Sequence, residues 1–270
     1  MTTIDQLLLS AAGKIRRSEA RLLLSSLLNK PVEYLIAHGS QAVAEGYALQ
    51  FAAQLKEAQS GRPIPYITGV QAFWGRDFAV TPAVLIPRPD TETLVETVLL
   101  AAGGQKKSVL ELGTGSGCIA VTLAKENPLL DVTATDISSE ALSAARSNAR
   151  RHGADNVRFA CGSWFEALKD IARFDIIVSN PPYIAEGDSH LPALRYEPIT
   201  ALTSGPDGLD DIRHIAKEAR SRLNPNGLLA FKHGFDQGKA CRELLLLLGY
   251  RSVTTIQDLG GNDRVTMGRF

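Results

Sequence analysis

The chain has 270 residues, 44% hydrophobic and 21% charged, the balance of a packed globular protein with one large domain or a large and a small one. Lys+Arg and Asp+Glu both number 29, and a net charge of zero argues against a protein that holds nucleic acid by bulk attraction to phosphates. Cys118, Cys161 and Cys241 form no C-x-x-C pair and the five histidines show no ligand spacing, so no metal site or disulfide framework is expected; the apolar runs are too short to span a bilayer, and a cytoplasmic protein is expected.

Residues 1–60 read as a small helical bundle. "IDQLLLSAAGKI", "SEARLLLSSLLN", "PVEYLIAHG" and "AEGYALQFAAQLKEAQ" repeat apolar residues at helical spacing, and Thr3 and Gln6 are spaced as a capping box. Residues 61–89 are rich in Pro, Gly, aromatic and β-branched residues, which predicts a β-hairpin connector. Within it, Phe73 and Trp74 read as packing residues rather than substrate contacts.

From residue 90 to 270 the pattern alternates. "TETLVETVLLAA", "GCIAVTLAKE", "SEALSAARSNARRHG", "DIRHIAKEARSRL" and "QGKACRELLLLLG" are helical. "SVLELG", "DVTATDIS", "NVRFACGS", "FDIIVSN", "LLAFKHG", "YRSVTTIQD" and "DRVTMGRF" read as strands, with "NPNG" as a turn into the fifth. The alternation predicts an α/β fold with a doubly wound, mostly parallel seven-stranded sheet of Rossmann-like type. The last two strands have no helix between them and should be antiparallel neighbours.

Ligands of such sheets bind outside the carboxyl ends of the strands, and two motifs fall there. In "ELGTGSGC" the residues Gly113, Thr114, Gly115, Ser116 and Gly117 follow a strand and open a helix. The dinucleotide fingerprint is G-x-G-x-x-G; here the third glycine comes one residue early and Cys118 takes its place. That spacing suits a nucleoside with an amino-acid tail rather than a pyrophosphate. Asp136 ends the next strand, where an acid accepts from ribose hydroxyls. A plain strand-to-helix turn with a capping Asp is the alternative.

The second motif is "SNPPY". Asn180 carries one carbonyl acceptor and two donors, and a carbonyl beside a proline is a free acceptor. Asn180 with Pro181 and Pro182 can therefore grip a planar –NH2 group, and Tyr183 could cover its face. Methyl transfer from a sulfonium needs alignment more than a nucleophilic side chain. A rigid strand terminator is the bland reading of the same residues.

"NPPY" beside "ELGTGSG" resembles S-adenosylmethionine-dependent amino-methyltransferases, some acting on adenine in DNA and others on glutamine in protein. "GRPIPYITGVQAFWG", "LIPRPDTETLVE", "RYEPITAL", "GPDGL", "HGFDQG" and "DRVTMGRF" favour glutamine: they resemble the peptide chain release factor glutamine methyltransferases, the PrmC/HemK family, over nearly the whole chain.

The resemblance implies S-adenosyl-L-methionine as cofactor, S-adenosyl-L-homocysteine as product, and the Gly-Gly-Gln motif of a release factor as substrate. It implies that Gly113–Gly117 hold the methionine part, Asp136 the ribose and Asn180–Tyr183 the target amide, with Trp164 near the adenine. The helical front would help dock the release factor, and the chain is expected to act as a monomer without stable nucleic-acid binding. Three positions do not fit the family pattern smoothly: Ser163 stands where an acid usually precedes the tryptophan, Lys232 where Glu usually precedes "HG", and Cys118, read as a buried small thiol, where the loop enters its helix. Arg88, Asp90, Thr91 and Glu92 could shape the cofactor entrance, or Asp90 and Thr91 could simply cap the next helix. An adenine methyltransferase and a non-catalytic binding module are the rival readings.

Overall fold

Thr3 starts the first helix as its spacing predicts. Its Oγ1 accepts from the Gln6 backbone N–H at 3.3 Å, and Gln6 Oε1 accepts from the Thr3 N–H at 2.9 Å. In this computed structural model, residues 2–168 and 172–270 are described. The chain divides into two units, the first ending at Val70 and the second running from Gln71 to Phe270.

The first unit carries β1 (Thr2–Thr3), α1 (Ile4–Ser10), α2 (Arg17–Leu28), α3 (Val32–Ala37), β2 (Ala42–Val43), α4 (Glu45–Gln59) and α5 (Ile64–Thr68). Ile4, Leu7, Leu23, Leu24, Leu35, Phe51 and Leu55 form its core, at the helical spacing that puts them on facing stripes. Three features differ from expectation. α1 stops at Ser10 instead of Ile15, because the chain turns at Ala11–Ala12 and Gly13 takes φ 74°. The two-residue strands β1 and β2 pair antiparallel, too short to leave a periodic signal. α5 lies in the stretch read as connector; Pro63 and Pro65 sit at its N-terminus, where proline's missing N–H costs the helix nothing.

The second unit begins in the hairpin of β3 (Val70–Phe73) and β4 (Arg76–Ala79). Its two-residue turn has positive φ at both Trp74 (50°) and Gly75 (67°), the backbone that matches strand twist. Phe73 is buried and Trp74 packs on the same cluster, as packing residues should.

Then come α6 (Glu92–Ala102), β5 (Lys107–Leu112), α7 (Cys118–Glu126), β6 (Leu130–Asp136), α8 (Ser139–His152), β7 (Val157–Cys161), β8 (Phe174–Ser179), α9 (Asp210–Arg222), β9 (Leu223–Lys232), α10 (Gly238–Leu247), β10 (Arg251–Gln257) and β11 (Asp263–Arg269).

The seven strands β5–β11 form one sheet in the order β10-β11-β9-β8-β5-β6-β7. β9, β8, β5, β6 and β7 run parallel to one another, and β11 runs antiparallel to both β9 and β10. Successive residues point to opposite faces. Val109, Ile176, Val178 and Ala230 join one apolar cluster with α6 and α7; Leu110, Ile177, Leu229 and Phe231 join another with α9 and α10. Both faces are therefore covered, which is why the strands read as continuous apolar runs.

β9 starts at Leu223, earlier than expected. Its partners on β8 jump from Phe174↔Leu223 to Ile176↔Leu228, so "NPNG" is a bulge within the strand, with Asn226 at φ 61°. From β5 the chain builds β6 and β7 on one side, then returns to β8 on the other. That reversal opens a crevice beyond the carboxyl ends of β5 and β8. No helix among the described residues is long and apolar enough to cross a membrane.

Candidate active site

Gly113, Gly115 and Gly117 leave β5 with φ of 72°, 55° and 80°. The need for glycine is plainest at Gly117, the residue before α7. A Cβ there would lie 3.0 Å from Ala145 Cβ and 3.1 Å from Ala145 Cα, in a backbone conformation that L side chains resist. The loop is tied down by the Thr114 N–H to the Thr135 carbonyl (2.9 Å) and the Gly117 N–H to the Thr114 carbonyl (2.8 Å).

Asp136 ends β6 beside this loop. Its Oδ2 accepts from the Gly115 N–H at 2.8 Å and its Oδ1 from the Ser138 N–H at 2.9 Å. Both oxygens keep a lone pair, since a carboxylate has about four acceptor sites. The Gly162 N–H donates to the Asp136 carbonyl at 3.0 Å, which sets the turn carrying Ser163 and Trp164. Trp164, at φ 44°, brings its ring within 3.5 Å of where a Cβ on Gly113 would stand.

Beyond β8, Asn180, Pro181 and Pro182 line the same cleft as Gly113, Asp136 and Trp164, a space of about 300 Å³. A cavity of that size takes a small organic ligand. Asn180 Oδ1 is buried and meets no hydrogen-bond donor of the protein; Thr91 Oγ1 and Ser116 Oγ, on two more lining residues, are in the same condition. Buried polar atoms are normally satisfied, and these three of the seven orphaned atoms among the described residues lie on lining residues of one cleft, where a ligand could supply partners. Tyr183 does not line the cleft. Its N–H donates to the Leu202 carbonyl at 3.2 Å, its carbonyl accepts from Gln237 Nε2 at 3.0 Å, and its phenol accepts from Lys232 Nζ at 2.7 Å.

Three polar residues of the site escape sequence reasoning. Glu111 lies under the loop, buried, with Oε2 accepting from Thr114 Oγ1 (2.7 Å) and the Ala120 N–H (3.1 Å); burial pushes its carboxyl up to about 8. Its signal is a lone acid inside the apolar strand "SVLELG". Asn148, wholly buried on α8, donates to the Ser116 carbonyl (2.8 Å) and the Ala79 carbonyl (3.0 Å) and accepts from the Ala79 N–H (2.8 Å). It joins the glycine loop to the hairpin. Glu197, from "RYEP", accepts from the Ile86 N–H at 3.1 Å and pairs with Arg88, so two sequence motifs meet in one ion pair. Cys118 is buried at the start of α7, and burial pushes its thiol up to about 12, an inert packing group.

The comparisons with known proteins agree along the chain. A family profile described as "PrmC N-terminal domain" matches residues 5–69, and one described as "Methyltransferase small domain" matches residues 89–196. The release factor glutamine methyltransferase of Vibrio cholerae is 42% identical over 99% of this chain and 97% of its own; that of Xylella fastidiosa (Temecula1) is 46% identical over 97% and 96%. That of Escherichia coli K12 is 40% identical over 96% and 94%.

The chain belongs to the release factor glutamine methyltransferases.

Solved structures show the fold. A methyltransferase from Pyrococcus furiosus aligns with TM-score 0.57 at 23% identity over 81% of this chain and 98% of its own. The T. thermophilus 16S rRNA N2 G1207 methyltransferase, solved with AdoMet and guanosine, aligns with TM-score 0.55 at 19% identity over 74% and 49%.

In this release factor glutamine methyltransferase, Ser163 and Lys232 are two of the positions expected to depart from the family pattern. Ser163 lines the cleft and presents a hydroxyl there. Lys232 is wholly buried, 3.3 Å from Asp90 Oδ2. Asp90 also meets Arg264 Nε at 3.4 Å, and Thr91 makes no side-chain cap bond to α6. Arg88 and Asp90 of "PRPDTE" are thus engaged in ion pairs, Thr91 lies at the cleft wall, and Glu92 Oε1 accepts from the Trp74 N–H at 2.7 Å.

Proposed function

We propose that this chain transfers a methyl group from S-adenosyl-L-methionine to the side-chain amide of the glutamine in the Gly-Gly-Gln motif of peptide chain release factors: the C–S bond breaks as the N–C bond forms, giving N5-methylglutamine, S-adenosyl-L-homocysteine and the proton released from the amide nitrogen. The observation that carries this reading is 40–46% identity, over nearly the full length, to proteins named for it. The cleft supports it through the orphaned oxygens of Asn180, Thr91 and Ser116, which suit a ligand rich in N–H groups.

When bound, the sulfonium cofactor supplies an electrophilic methyl carbon. Gly113–Gly117 would hold its amino-acid tail, because Gly113, Thr114, Gly115 and Ser116 of that loop line the cleft beside Asp136. Asp136 accepts from ribose hydroxyls with the lone pairs that Gly115 and Ser138 leave free. Trp164 flanks the adenine. Asn180 Oδ1 accepts one N–H of the target amide, and a main-chain carbonyl of Asn180 or Pro181 accepts the other. The grip turns the nitrogen toward the methyl carbon, and this alignment is where the rate comes from. Residues 1–60, with the connector 61–89, dock the release factor, and residues 90–270 carry out transfer. The chain works in the cytoplasm as a monomer, without stable binding to nucleic acid, in keeping with its zero net charge.

Incubating the purified chain with a release factor and S-adenosyl-L-methionine, then sequencing peptides by mass spectrometry, tests this. One methyl group on the Gly-Gly-Gln glutamine is expected. Methylation of a duplex oligonucleotide with none on the release factor would overturn the reading.

A further inference from the structure

Tyr183 closes the Asn180–Tyr183 segment yet keeps its side chain out of the cleft. Its phenol oxygen accepts from Lys232 Nζ at 2.7 Å, and that nitrogen lies 4.5 Å from the ring centroid. Lys232 ends β9 with a side chain that is 0% exposed. A buried ammonium is strongly disfavoured unless it is paired.

Asp90 Oδ2 pairs with it at 3.3 Å, but Asp90 is already served by Arg264 Nε at 3.4 Å. Arg264 in turn meets Asp258 Oδ2 at 2.8 Å. A neutral residue at position 232 would still leave Asp90 beside a cation. What Lys232 adds is the bond to the phenol, at the end of an alternating row of charges that starts at Asp258.

Rigidity gives that bond its consequence. The segment leaves β8 at Ser179, whose Oγ donates to the Leu112 carbonyl at 2.8 Å. Two prolines with fixed φ follow Asn180, so little slack lies between Asn180 and Tyr183. Main-chain bonds to Leu202 and Gln237 hold the backbone of Tyr183, and Lys232 holds its ring. A displaced Tyr183 is transmitted to Asn180 Oδ1 rather than absorbed in between.

We infer that Lys232 is a positioning residue for methyl transfer: it fixes the Tyr183 phenol and thereby the Asn180 amide, with Asp90 and Arg264 completing its charge environment. The inference rests on the proposed role of Asn180–Tyr183 at the acceptor amide.

The test compares wild type, Tyr183→Phe, Lys232→Met, their double variant and Lys232→Gln. Turnover and KM are measured on a release factor, S-adenosyl-L-homocysteine affinity by calorimetry, and melting temperature in parallel. Each single variant is expected to lose about tenfold in kcat, the effect of one charge-assisted hydrogen bond. The double variant should fall no further than the worse single one, since both remove the same contact. Lys232→Gln keeps an N–H donor without the charge and should recover most of the turnover. Homocysteine-product affinity should stay within about twofold of wild type throughout.

Single variants with wild-type kcat would overturn the role, as would losses that multiply in the double variant. So would a Lys232→Met defect that tracks melting temperature while Tyr183→Phe is unaffected. Tyr183→Phe leaves the pair with Asp90 intact and keeps the test open if Lys232→Met does not fold. A wild-type chain inert toward release factor sinks the functional reading itself; an active wild type with indifferent variants sinks only the role of Lys232.

Discussion

Replacing Glu111 by glutamine removes a titrating group from beneath the glycine loop while preserving its shape. Glu111 is 1% exposed, and its Oε2 alone takes both donors, Thr114 Oγ1 and the Ala120 N–H. A glutamine carbonyl in the same place can keep both. Burial first, with the charge of Asp136 adding to it, pushes the Glu111 carboxyl from 4.5 to about 8 against those two hydrogen bonds. A raised folded-state value means the folded chain holds a proton that the unfolded chain has lost. The associated stability is complete below about pH 4.5, declines as pH rises through the window to about 8, and is flat above it. That window spans about 3.5 decades, at about 1.4 kcal/mol each, so the loss is at most roughly 5 kcal/mol.

Urea denaturation of wild type and Glu111→Gln across this range reads the effect. Wild type should lose stability with rising pH and the variant should show a shallower slope, overtaking wild type at the alkaline end. Parallel curves would refute the argument from burial. The same group sets a second pH dependence. A cationic ligand in the cleft favours the carboxylate, so cofactor affinity should rise with pH toward about 8 in wild type and stay flat in Glu111→Gln.

Asn180→Ala should lower kcat about 100-fold, in line with removal of one preorganised transition-state contact, while the cofactor dissociation constant moves only a few-fold; near-normal turnover would dismiss the amide grip. Asp136→Ala frees the Gly115 and Ser138 N–H groups and removes the ribose acceptor, so calorimetry should show cofactor binding weakened at least tenfold, and unchanged affinity would rule out that role. Gly117→Ala combines a left-handed backbone, about 1–2 kcal/mol, with a Cβ pressed to 3.0 Å from Ala145, about 1–3 kcal/mol. Its unfolding free energy should drop by about 2–5 kcal/mol, and a drop under about 1 kcal/mol would show that α8 yields.

The sheet was legible because both its faces are covered, so its central strands are apolar runs cut off by Gly, Asn or Pro. The shared position of the glycine loop, Asp136 and Asn180 was legible for a related reason: they stand at the carboxyl ends of β5, β6 and β8, and they line one cleft. α5 was hidden by its prolines, which read as breakers although they occupy the helix start. Asn148, Glu197 and the Lys232 contact were hidden by distance along the chain. Asn148 reaches Ser116 across 32 residues, Glu197 reaches Arg88 across 109, and Lys232 reaches Tyr183 across 49. Periodicity reports which face a residue occupies and nothing about what it meets across a loop.

β11 comes after β10 in sequence yet lies between β9 and β10 in the sheet. During synthesis from the N-terminus, β10 emerges with no edge to join, and must wait for the following strand to dock on β9 first. Arg264 arrives on that same strand, bringing the cation shared by Asp258 and Asp90. A nascent chain stalled before β11 would thus hold its glycine loop and its Asn-Pro-Pro-Tyr segment, with Lys232 beside Asp90 but without the second cation, Arg264, leaving the enzyme's assembly dependent on β11.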